Sequence, residues 1–125
     1  MAKYALVVMA EHGEANPGGQ GRMLHAMNTA RELHAAGEEV CVWFHGIGVT
    51  WLTAFDVRDH KYTQVYGPLF DEIQDLIAGA CDFCASRRFD AAASAERLAV
   101  PLVGGDGEHH TVASLVRDEW QVLTF

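Results

Sequence analysis

Two short runs of this chain are apolar at every position, Tyr4-Ala5-Leu6-Val7-Val8-Met9 and Val40-Cys41-Val42-Trp43-Phe44. A strand with one wet face alternates, so continuous β-prone runs predict parallel strands covered on both sides, and both belong inside the sheet. Between them, residues 20–36 carry Met23, Met27, Ala30 and Leu33 at helical spacing, with Gly37 where a C-terminal cap belongs. That is a βαβ unit. A second helix is predicted over 65–75, with Leu69, Ile73 and Leu76 on one stripe and Asp71, Glu72 and Asp75 off it. Residues 76–80 supply a third strand, 85–98 a helix, and 100–103 a short strand that Pro101 confines to an edge or a strand start. A glycine loop over 104–107, a helix over 110–117 and a closing strand over 121–125 complete the order. The alternation predicts an α/β fold: one domain over 1–125, three layers (α/β/α), with a mostly parallel five-stranded sheet. Reactive groups in such folds collect beyond the carboxyl ends of the strands.

Composition narrows the partners. The 125 residues suffice for one buried core, and a formal charge of −8 repels phosphate backbones and anionic lipid surfaces, so neither nucleic acid nor membrane is expected as a direct partner. The opening apolar run is too short for a signal-peptide core or a membrane span. Three cysteines do not make a secreted disulfide framework, and a close pair in a reducing compartment is more often catalytic or metal-binding. A cytoplasmic location is the expectation.

The chemistry concentrates on Cys81-Asp82-Phe83-Cys84, where the third strand hands over to a helix. A helix N-terminus favours the thiolate, and Arg87 and Arg88, three and four residues on, add positive charge; both effects predict a lowered thiol pKa for Cys84. Cys84 is therefore the expected nucleophile and Cys81, nearer the strand, a resolving or shielding thiol. Cys41, mid-strand, belongs to the core. Glu11 and His12 follow the first strand, His45 the second, and His109 and His110 the glycine loop, so all lie at the same edge. If His109 and His110 open a helix, they point about 100° apart and only one faces the thiols; His110 is taken as that one, with His45, Arg87 and Glu11 as further lining residues. His25, His34 and His60 are given no role. The adjacent histidines lack the three-to-five spacing of a zinc motif, so no metal is expected. Pro17-Gly18-Gly19-Gln20-Gly21 is not G-x-G-x-x-G, and Glu11 and Glu14 share its loop; it reads as a loop and helix start, and no cofactor is expected.

The first strand and helix, Phe44-His45-Gly46, Gly79-Ala80-Cys81-Asp82-Phe83-Cys84-Ala85, Val100-Pro101-Leu102, the glycine loop with His110 and the final Gln121-Val122-Leu123-Thr124-Phe125 together resemble the DsrE/DsrF-like family. The resemblance spans nearly the whole chain and is strongest at the cysteine segment. It implies a small parallel-sheet α/β domain, assembled as trimers or hexamers, that carries sulfur as a persulfide on the cysteine matching Cys84. It also implies transfer to a sulfur-relay protein partner, in sulfur oxidation or tRNA thiolation. The extra Cys81, the long first loop and the Trp51-containing turn depart from the simplest relay members. Two other functions compete: a thiol–disulfide protein cycling Cys81 with Cys84, and a non-catalytic small-ligand or protein-binding module.

Overall fold

The apolar runs form the inner strands of a parallel sheet in the computed structural model, which describes residues 2–13, 15–105 and 108–125. Strand β1 (Lys3–Val8) pairs with β2 (Glu39–Phe44) on one side and β5 (Gln121–Thr124) on the other. Beyond β2 come β3 (Ile77–Cys81) and the two-residue β4 (Leu102–Val103), giving the order β4-β3-β2-β1-β5, parallel throughout. The strand with the proline before it is an edge, as Pro101 requires.

Helix α1 (Pro17–Ala35) starts three residues earlier than the apolar spacing alone indicates. Asn16 caps it, its Oδ1 accepting from the Gly19 N–H at 2.9 Å, and Pro17 fills the first position, where a missing N–H costs nothing. The C-terminus closes as the sequence predicts: Gly37, at φ +85, donates to the His34 carbonyl while Glu38 donates to that of Leu33. Helix α2 (Thr50–Val57) occupies what reads as a turn around Trp51, and α3 (Lys61–Ile73) begins four residues before the predicted stripe. The expected long helix over 85–98 is broken: a π-helical turn (Cys84–Arg88) is followed by α4 (Ala92–Arg97). Asp90, in the left-handed region at φ 50, separates them, and the Ala91 N–H bonds the Ala85 carbonyl at 2.8 Å. Helix α5 (Val112–Arg117) begins two residues late.

Strand alternation splits the core unequally. Leu6, Val8, Val40, Val42, Phe44 and Ala80 face the large cluster built with α1 to α4, including Met23, Met27, Trp51, Phe55 and Phe70. Ala5, Val7 and Cys41 face the other way, where Leu115 of α5 is the buried partner and Trp43, Ala78 and Val122 are only half-buried. The three layers are present, but one is a single short helix.

Candidate thiol–histidine site

Burial of the β3 end brings the two thiols together. Cys81 is the last residue of β3, and Cys84 opens the π-helical turn; both are buried. His109 joins them from the loop after β4: its Nδ1 lies 3.3 Å from the Cys81 Sγ and 3.7 Å from the Cys84 Sγ. Two contacts hold that loop. The Phe83 N–H donates to the Glu108 carbonyl at 3.1 Å, and the Phe83 ring packs on the His109 ring with centroids 4.4 Å apart. Gly104, at φ +127, lies so close to the same Glu108 carbonyl that a Cβ there would stand 2.2 Å from its oxygen. Of the predicted glycine loop, Asp106 and Gly107 lie outside the described residues, as do Glu14 and Met1.

His110 does not face the thiols, contrary to the sequence expectation. The helix starts only at Val112, so His109 and His110 sit on non-helical chain rather than on a helical turn. His110 Nδ1 meets the Nε2 of His45 at 2.9 Å, and its ring stacks on Trp43 at 3.9 Å between centroids. The protons can be assigned around this chain. The Ser114 hydroxyl donates to the Thr111 carbonyl at 2.7 Å, so Ser114 Oγ accepts from His110 Nε2–H at 3.4 Å. His110 Nδ1 is then bare and accepts from His45 Nε2–H. His110 is therefore the neutral Nε2–H tautomer, and His45 presents its Nε2–H to it.

Electrostatics agree. Burial, reinforced by His110 and then His109, pushes His45 down to about 4, and burial lowers His110 as well. The stability consequence has a definite sign. A histidine with a folded pKa near 4 and an unfolded value near 6.5 binds the proton more readily when unfolded. Stability is fully present above pH 6.5 and drains away as the pH falls toward 4, by at most ~3 kcal/mol. Denaturation midpoints measured from pH 7 to 4 should fall over that window, and His45→Gln should flatten the slope. Asp56 and Asp71, held below the usual carboxylate range by hydrogen bonds from Arg97 and Arg58, lose their contribution only at lower pH.

The Cys84 thiol departs from expectation. Burial raises its pKa, and a hydrogen bond with Cys81 raises it further; the Gly46 N–H and Arg88 pull the other way without overcoming burial. The cation that Cys84 feels is Arg88, which also lies over Phe89; Arg87 is exposed and makes no described contact with the thiols. Glu11 is exposed too, its carboxylate accepting from Asn16 Nδ2 at 3.1 Å. His45 bears on the thiols through its neighbour, the Gly46 backbone N–H, which favours the Cys84 thiolate. Gly48 lets the turn after β2 pack against the end of β1. A Cβ on Gly48 would stand 2.1 Å from the Val8 carbonyl, the group that accepts from the His45 N–H at 3.0 Å.

The remaining histidines are peripheral to the thiols. His25 and His34 are exposed on α1, and His60 caps α3, its Nδ1 accepting from the Tyr62 N–H at 3.0 Å. A cleft of about 400 Å³ lined by His12, Thr53, Asp59 and Asp90 excludes both cysteines. The switch in strand order falls between β1 and β5, where the Met9 N–H bonds the Phe125 carbonyl; the thiols lie two strands away. No protein-family model, no curated protein and no solved structure matches this chain. Among the described residues no helix is long and apolar enough to cross a membrane.

Two thiols and an imidazole at these distances support nucleophilic chemistry. A buried thiol attacks only after losing its proton, and His109 Nδ1 is within reach of either one.

Proposed function

We propose that this chain is a sulfur carrier in which Cys84 accepts and passes on a sulfane sulfur. One observation carries the reading: a buried Cys84 thiol with an imidazole nitrogen 3.7 Å away. The resemblance of the cysteine segment to DsrE/DsrF-like proteins supports the same chemistry. His109 takes the Cys84 proton, and the thiolate attacks the terminal sulfur of a donor persulfide, R–S–SH. The donor S–S bond breaks, a new one forms on Cys84, and RS⁻ leaves with the proton from His109. The balance is R–SSH plus Cys84–SH giving R–SH plus Cys84–SSH, and an acceptor thiol reverses the sequence. No external oxidant is consumed. The reading includes a sulfur-relay protein as acceptor, a cytoplasmic setting that keeps the thiols reduced, and assembly into trimers or hexamers, for which the thinly covered face around Trp43 and Val122 is available.

The competing disulfide reading rests on the two sulfurs lying within 4.8 Å of each other. Intact-mass measurement separates the two. Reduced, metal-free protein given a persulfide donor should gain the mass of one sulfur and return it to an added thiol acceptor. A loss of two hydrogens instead would put the disulfide reading in its place.

A further inference from the structure

The same loop geometry carries a reading that does not depend on sulfur transfer. Cys81 Sγ, Cys84 Sγ and His109 Nδ1 all lie within 4.8 Å of one another. Zinc bonds of about 2.3 Å to sulfur and 2.0–2.1 Å to nitrogen, at tetrahedral angles, place S and N about 3.6 Å apart. The two observed separations, 3.3 and 3.7 Å, bracket that value. We infer that Cys81, Cys84 and His109 form a zinc-binding site with three protein ligands and a fourth, open coordination position.

Two features beyond the distances support it. Two thiolates and an imidazole are the soft and borderline donors that zinc takes in tetrahedral sites, whereas calcium and magnesium take oxygens. The His109 ring is held by Phe83 and by the Glu108 carbonyl contact, so the nitrogen is aimed before any ion arrives. The adjacent histidines do not act together. His110 is committed to His45 and Trp43, and the spacing rule for paired histidines does not apply to a site that uses only one. A Cys₂His set with an open position is the arrangement of zinc sites that bind water or an exogenous ligand, so the fourth ligand would be solvent or an incoming thiolate or carboxylate.

The test uses the full-length chain without an affinity tag, reduced and stripped of metal. Titrated with Zn²⁺ against a chromophoric chelator, it should bind one ion per chain. Co²⁺ in its place should give thiolate-to-metal charge-transfer absorption with the ligand-field bands of a tetrahedral centre. His109→Ala should weaken zinc binding by more than about tenfold, because even changing a residue that only hydrogen-bonds a ligand costs that much; His109 is exposed, so the variant should fold, as circular dichroism will check. Cys84→Ser should remove most of the charge-transfer band, while Cys41→Ser and His34→Ala should bind like wild type. Wild-type affinity in His109→Ala, or absence of stoichiometric binding in the wild type, would overturn the site. A chain that binds zinc but takes up no sulfane sulfur keeps this inference and removes the one before it.

Discussion

Cys84→Ser protein should fold like the wild type and take up no sulfane sulfur from a persulfide donor. A hydroxyl in place of the thiol still accepts from the Gly46 N–H, so stability should change by only about 1 kcal/mol. The chemistry does not survive, because a serine hydroxyl has no accessible anion at neutral pH without far stronger activation than one imidazole gives. Cys81→Ser should still acquire one sulfur, since Cys81 is assigned no bond to the transferred atom. His109→Ala should slow uptake about 100-fold, the usual contribution of a positioned base, and more visibly here because burial holds the Cys84 proton on. Stopped-time intact-mass measurements on the three variants give the uptake values, and chemical denaturation gives the stability change. Uptake by Cys84→Ser at the wild-type level would remove Cys84 from its role.

The largest stability loss should come from Trp51→Ala, about 3–5 kcal/mol by chemical denaturation. Trp51 is fully buried, with its indole against His12 at 4.6 Å, Tyr62 at 5.3 Å and Phe55 at 5.9 Å between centroids. Alanine leaves a void that those rings cannot close. The indole also donates from Nε1 to the Ala10 carbonyl at 2.9 Å, just beyond the end of β1. Trp51→Phe keeps most of the apolar volume but orphans that carbonyl, and should cost about 1–3 kcal/mol. Equal destabilisation by the two substitutions would show that the hydrogen bond, rather than packing, dominates the site.

Trp51 also marks where sequence reading reached its limit. Continuous apolar runs are an unambiguous signal for buried parallel strands, so Leu6, Val8, Val42 and Phe44 were legible as interior positions. The first helix was legible from its period and from Gly37. The segment around Trp51 is only eight residues long: Trp51, Leu52, Ala54 and Phe55 are buried while Thr50, Thr53 and Asp56 fall on the other side, and two turns are too few for that period to stand out from a turn. The break at Asp90 was illegible for a different reason: residues 85–98 are rich in alanine and compatible with helix throughout, and tertiary packing of Ala85 and Ala91 decides where the helix stops.

The site was legible to the level of the sheet edge and no further. Cys81, Cys84, His45 and the two histidines of the glycine loop do gather there, because strand order dictates it. Which histidine meets the thiols depends on whether residues 109 and 110 are helical, and they are not. The Cys84 pKa went the other way from expectation because helix position and arginines can be read from sequence, whereas the depth of burial that outweighs them cannot.

The location of the transferred sulfur tests the central proposal most directly. Cys81 and Cys84 share the tryptic peptide spanning residues 62–87, so fragment ions between them distinguish the two sulfurs. After one equivalent of persulfide donor and capping of free thiols, the extra sulfur should lie on Cys84, with Cys81 capped as a thiol. Sulfur on Cys81 alone, or a Cys81–Cys84 disulfide with no sulfur gained, would contradict it.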